Sequence, residues 1–310
     1  MDITTILSTS VRLAAPVLLI SLGGLFALKC NIFNLALDGI TLFGCFMSIV
    51  GTYFTESPTF GVVCGALSGV VLCLIYGIFV FELRVDAVIC AIAFITICNG
   101  LTRYLLNPIF HTSGRVIIDS ALALPTIHIG LLDNIPFLGP ILNDKTLLVY
   151  LSLLAPFFIH FLLYKTHYGL SLRAVGLSGE IAQTSGIDLA RARYSALALN
   201  GLFCGLAGAQ LALSLNLFNI GMTNARGFTA LAVLIMTDSQ PHLTLLACLM
   251  FGFADALVLQ LSGTGYNAQL LEALPYLLAL VAVIVPLTAK QGLKCMRKHS
   301  AERKLIVRNG

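Results

Sequence analysis

Phe60-Gly-Val-Val-Cys-Gly-Ala-Leu-Ser-Gly-Val-Val-Leu-Cys-Leu-Ile-Tyr-Gly-Ile-Phe-Val-Phe81 is a run of 22 residues without one charged side chain. A helix rising 1.5 Å per residue crosses the roughly 30 Å hydrocarbon layer of a bilayer in about 20 residues. Backbone amides in lipid must be paired within their own segment or in a closed barrel, and an unbroken run instead of ten-residue alternation selects a helix. This stretch reads as a transmembrane helix.

Eight further apolar segments lie around it: Val11 to Leu28, Ile32 to Phe54, Val85 to Leu106, Leu147 to Tyr164, Tyr194 to Leu213, Phe228 to Met236, Leu243 to Leu261 and Leu274 to Ala289. The first has Lys29 behind it and reads as a first span instead of a removable signal. Phe228 to Met236 is short enough for a half-helix. Across 310 residues, 58% are hydrophobic and 10% charged, with a mean hydropathy of +0.95, far from the composition of soluble domains. The expected fold class is therefore all-α: a polytopic helical bundle of about nine membrane segments in one domain over 1–310, with no separate soluble catalytic domain.

Lysine and arginine concentrate on cytoplasmic loops. With the N-terminus outside, Lys29, Arg84, the loop 165–193 and the basic tail 290–310 fall inside. That accounts for thirteen of the 18 basic residues, leaving Arg12, Arg103, Arg115, Lys145 and Arg226 outside. The expectation is N-out and C-in. The net charge of +4 then reflects membrane orientation and implies no nucleic-acid partner. Nine cysteines lie almost wholly in apolar runs, without a CxxC pair, and read as small buried apolar residues with no metal or redox role.

Two connections are long. Asn107 to Thr146 is interrupted by four prolines yet stays apolar at Val116 to Leu124, which predicts a segment folded onto the helix ends. Lys165 to Arg193 contains a stretch, Ser178 to Ser185, with Ser178 as cap and Ile181 spaced for one apolar face. A short helix of that kind suits docking into a groove on a soluble partner.

No phosphate-binding GxxxxGK[ST] loop, HExxH, GxSxG or paired surface carboxylates are present, so no catalytic residue or cofactor is expected and the chain cannot hydrolyse ATP alone. Any ATP hydrolysis belongs to a separate subunit. Asn31, Asn34 and Asp38 are spaced for one helical face beside Gly39 and Gly44, a polar stripe expected to face a path or a neighbouring helix. Asp255 is a second carboxylate in an apolar run, and Gly201, Gly205 and Gly208 are spaced for close helix packing. Asn31-Ile-Phe-Asn34-Leu recurs as Asn216-Leu-Phe-Asn219-Ile at the opposite side of the expected topology, as inverted repeats would have it.

These residues resemble a known family. Gly23-Gly24-Leu25-Phe26 followed by Asn31 to Gly39 is similar to that family's first motif. Gly169 to Arg173, Gly176 and Ala182 to Ile187 resemble its coupling loop, and Arg226 to Ala232 with Phe251 to Ala256 match two later motifs. The family is that of inner-membrane permeases of ABC importers in the branched-chain amino acid, ribose and nucleoside group. The likeness is strongest to the shorter permease of nucleoside or simple-sugar systems with basic-membrane-protein-type lipoprotein receptors. Asp38 stands where the family has glutamate, and Ala36 where it often has glycine.

The resemblance implies a bacterial inner-membrane location and three partners: a second permease, a cytoplasmic ATP-binding subunit and an extracytoplasmic solute-binding lipoprotein. It implies that Arg173, Gly176, Glu180 and Gly186 couple to the ATPase, and that Asn31, Asn34, Asp38 and Phe228 line the path. Aromatic and amide side chains suit a nucleoside, a flavin-like ring such as riboflavin, or a sugar. The competing reading is an ion-coupled secondary transporter that uses Asp38 and Asp255.

Overall fold

A computed structural model describes residues 3–112, 114–119, 122–128, 130 and 139–262. Seven helices are long and apolar enough to cross a membrane: α1 (Ile3–Lys29), α2 (Leu37–Thr55), α3 (Pro58–Phe81), α4 (Ala87–Phe110), α6 (Leu147–Lys165), α9 (Leu189–Leu215) and α11 (Pro241–Leu261). They correspond to seven of the nine expected segments. The eighth, α10 (Arg226–Met236), has 11 residues and is about 16 Å long, half a bilayer. The ninth, Leu274 to Ala289, and the tail 290–310 lie outside the described residues. Contacts divide the chain into two units, Met1–Ala256 and Leu257–Gly310, and the first holds nearly all of the described residues.

The sequence sorts the helices into inner and outer ones. α1, α2 and α9 are largely buried, whereas α3, α4, α6 and α11 keep most of their apolar surface uncovered. Between lipid-soluble helices no hydrophobic force drives association, so backbones must come close. Glycines allow this at the α3–α9 seam: a Cβ at Gly69 would run into the Gly201 carbonyl, and one at Gly205 into the Gly65 carbonyl. Gly208 in turn abuts the Thr41 and Gly44 backbone of α2. The small-residue spacing in α9 is thus a packing device, as expected.

α1 and α9 run antiparallel. Cys30 reaches the Ala192 carbonyl, Phe26 stacks on Phe203 at 6.1 Å, and Ser8 and Ser214 share one cavity at the far end. Both helices have 27 residues and both end on an asparagine with left-handed backbone, Asn31 (φ 58°) and Asn216 (φ 51°). After α1 the Ile32 N–H returns to Ala27 O and the Asn31 N–H to Leu28 O, the paired bonds that close a helix on a left-handed residue. Each asparagine leads into a non-helical Ile/Leu-Phe-Asn segment, 32–34 and β4 (Leu217–Asn219), and then into a new helix, α2 or α10. The sequence echo therefore marks two similar units of opposite direction.

The long connection folds back onto the helix ends. Its β1 (Arg115–Ile117) pairs antiparallel with β4, and β2 (Thr126–Ile127) with β3 (Lys145–Thr146), on either side of a single helical turn, α5 (Gly139–Leu142). These short pairs are the strands among the described residues of an otherwise helical chain. Val116 and Ile118 enter a cluster with Phe46 and Phe218, whose rings meet edge-on at 5.4 Å. That burial accounts for the apolar character of the connection.

Candidate functional site

Two breaks in the helices meet at one carboxylate. The expected helical face of Asn31, Asn34 and Asp38 does not form, because the left-handed Asn31 ends α1 and α2 starts only at Leu37. Asn34 instead turns its Oδ1 back to accept the Ala36 N–H at 2.9 Å, a local bond that competes with helix. Its Nδ2 approaches Cys73 Sγ at 3.8 Å, and the residue is 1% exposed. Asn31 itself is exposed.

Asp38 occupies the second position of α2 and is buried. Its Oδ1 accepts the backbone N–H of Gly227, the second residue of α10, at 3.0 Å, and its Oδ2 accepts from Thr223 Oγ1 at 3.2 Å. A side chain at Gly227 would collide with the Asp38 backbone. The N-termini of α2 and α10, each carrying a partial positive charge, are thus brought together with a carboxylate between them. Arg226 adds a cation that acts on both Asp38 and Asp255. Its Nη1 donates to the Met222 carbonyl at 3.2 Å, while its Nε has no partner among the described residues. Phe228, next along α10, keeps 46% of its surface exposed.

Thr223, Arg226 and Gly227 complete this site, and residue spacing alone gives none of them a place in it. The available signal was the Asn216 echo, which puts a second helix break just before Arg226.

A second cluster lies at the Lys29 end. The connection 165–193 forms α7 (His167–Leu177), a helix beyond the sequence expectation, and the expected capped helix, α8 (Gly179–Thr184). Thr166 Oγ1 accepts the Gly169 N–H and opens α7; Ser178 Oγ accepts the Ile181 N–H at 3.4 Å and opens α8. Gly186, with φ +84°, closes α8, its N–H bonded to Gln183 O and that of Ile187 to Ala182 O.

Arg173 sits over the Tyr164 ring at 4.8 Å. Gly176 lies so near the Lys29 carbonyl that no side chain fits between them. Glu180, Leu177 and Ile181 are turned outward, the last two 90% and 68% exposed. Beside α8, a cleft of about 480 Å³ is lined by Glu82, Gln183, Ile187 and Arg193.

α7 is therefore clamped onto the end of α1. Cys30 Sγ reaches the Leu172 carbonyl at 3.7 Å, and burial pushes its thiol up to about 12, so it stays a neutral packing group. Burial likewise raises Tyr168, whose hydroxyl donates to Ser195 Oγ at 3.1 Å. From Lys29 the chain passes directly through 31–36 to Asp38 and so to α10. No group of three or more potential metal ligands occurs among the described residues.

The family model for the branched-chain amino acid transport system / permease component matches residues 6–285. The chain belongs to that permease family. It is similar to the guanosine ABC transporter permease protein NupQ of Bacillus subtilis, with 31% identity over 91% of this chain and 93% of the relative. The nucleoside ABC transporter permease protein NupC of Lactococcus lactis shares 27% over 87% and 88%. A putative glucose ABC transporter permease protein of Haloferax volcanii shares 31% over 82% and 77%. No solved structure matches. The chain is thus a multi-pass inner-membrane permease subunit of an ABC transporter, not an enzyme, and its family implies an ATP-binding subunit and a substrate-binding protein as partners.

Proposed function

We propose that this permease forms half of the translocation path of an ATP-driven importer of nucleosides or a related ring-bearing or sugar-like solute, with ATP hydrolysed by a separate subunit. The observation that carries the solute class is the 31% identity, over 91% of the chain, to a permease named for guanosine, beside a glucose-named relative of equal identity. In this reading the chain is one permease domain of nine membrane segments, N-out and C-in, so that the Lys29 end is cytoplasmic. It pairs with a second permease as a heterodimer and receives solute from an outer lipoprotein.

The ATP-binding subunit docks on α7 and α8, where Leu177, Ile181 and Glu180 are displayed, while Arg173, Gly176 and Gly186 hold the two helices in place. When that subunit closes, α7 moves with the Lys29–Cys30 corner, and the break at 31–36 passes the movement to α10 through Asp38 and Gly227. Phe228 and Asn31 offer exposed aromatic and amide surface to the solute, while Asn34 and Asp38 hold the two breaks in shape. Both Asp38 oxygens are engaged by protein donors, which disfavours its use as a coupling-ion ligand.

The test is reconstitution with the ATP-binding subunit, second permease and receptor, followed by ATP-dependent uptake of labelled guanosine against labelled glucose. Accumulation of one of them that requires ATP supports the reading. Accumulation by the permease alone, driven by an ion gradient, contradicts it.

A further inference from the structure

At the end opposite Lys29, α1, α9, the start of α6 and the β2–β3 pair enclose a cavity of about 330 Å³. Two cations line it. Lys145, on β3, is 8% exposed, and its ammonium donates to Ser8 Oγ at 2.6 Å, one acceptor for a group with three donors. Arg12, on α1, is exposed, and among the described residues neither cation has a carboxylate within ion-pair distance. Asp144 also lines the cavity, with its Oδ1 3.0 Å from His128 Nδ1. Gln210, also on the lining, accepts from Thr146 at 2.9 Å through Oε1.

Two like charges sharing a half-enclosed space repel each other, and the buried Lys145 ammonium gives up hydration as well. Burial first, and then Arg12, hold the Lys145 ammonium below the usual lysine range, which Asp144 only partly offsets. A bound anion would relieve both the repulsion and the lost hydration, and a guanidinium beside an ammonium and a hydroxyl is a donor set for oxygen anions.

We propose that this cavity is an oxyanion site that takes a phosphate group, held by Arg12, Lys145 and the hydroxyl of Ser8. The volume exceeds a bare phosphate and leaves room for a small polar substituent. The ligand is a different species from the solutes named for the relatives, guanosine and glucose, which are uncharged. Its phosphate comes either from a phospholipid headgroup or from a soluble phosphate compound.

The assembled transporter, in nanodiscs of phosphatidylcholine, is titrated with inorganic phosphate by calorimetry against a chloride control. A second preparation containing phosphatidylglycerol is assayed for retained lipid by native mass spectrometry. Binding of phosphate assigns a soluble ligand, retention of phosphatidylglycerol assigns a lipid, and either supports the site provided that R12Q and K145Q each weaken it by about tenfold or more while K145R keeps it. Because Arg12 is exposed, R12Q leaves the fold intact and decides the matter even where K145Q fails to assemble. The proposal is overturned if neither probe binds above the chloride control, or if both variants bind as the parent does.

Discussion

The carboxylate of Asp38 and the backbone N–H of Gly227 are 3.0 Å apart, although 189 positions separate them in the chain. Through this contact the first turns of α2 and α10, each following a break, are held to one another.

Asp38→Ala removes a buried cap and leaves Gly227 N–H and Thr223 Oγ1 without their acceptor. The expected loss is about 1–2 kcal/mol of stability, by analogy with helix caps, together with loss of uptake. Asp38→Asn keeps an acceptor oxygen and should fall between the alanine variant and the parent. Thermal scattering of the detergent-purified protein and uptake in vesicles check the order.

Gly227→Ala introduces a Cβ where the Asp38 backbone stands. Overpacking of this kind costs about 1–3 kcal/mol, so expression and melting temperature should both drop. Gly221→Ala is a contrast: open space surrounds a Cβ there, and only the φ of +74° opposes the change. A larger loss at Gly221 than at Gly227 would contradict the close approach of α2 and α10.

Leu177→Ser and Ile181→Ser alter side chains that touch little in this chain. Stability should change by no more than about 0.5 kcal/mol, whereas co-purification of the ATP-binding subunit should fall severalfold. Gly176→Arg, pressed against the Lys29 carbonyl, should instead lower both stability and uptake. Normal ATPase capture by the double serine variant would place the docking surface elsewhere.

Lys145 supplies a pH dependence. Its value is lowered by burial and by Arg12, so between that lowered value and the ordinary 10.5 the unfolded chain binds a proton that the native chain has released. Stability contributed by this site therefore rises with pH across that window. The melting temperature of the parent relative to K145Q should climb as pH is raised toward 10.5, and a flat or falling difference would contradict the burial of an unpaired ammonium.

Much of this was legible from residue patterns. Uncharged runs such as Phe60 to Phe81 locate the spans because lipid imposes length and apolarity together, and Ser178 signals α8 because a capping hydroxyl leaves a local signature. The Asn31 and Asn216 echo marked the two units of opposite direction, but not the helix breaks inside them. What spacing could not show was that Asn31 is left-handed, so that Asn34 and Asp38 leave the helical face they appear to share. Nor could it show that Asp38 bonds to Gly227, since a contact between residues so far apart in sequence is settled by packing. α7 went unassigned because His167 to Leu177 has only a weak apolar stripe; its place comes from Gly169 and Gly176 fitting against α6 and α1.

In the proposed transport cycle, movement of α7 reaches α10 through the 31–36 break and Asp38. Hydrogen–deuterium exchange of the assembled transporter, with and without ATP, reads this directly. Segments 31–38 and 222–230 should respond to ATP together in the parent, and in Asp38→Ala the first should still respond while the second no longer does. An ATP response of 222–230 that survives Asp38→Ala unchanged would contradict the account.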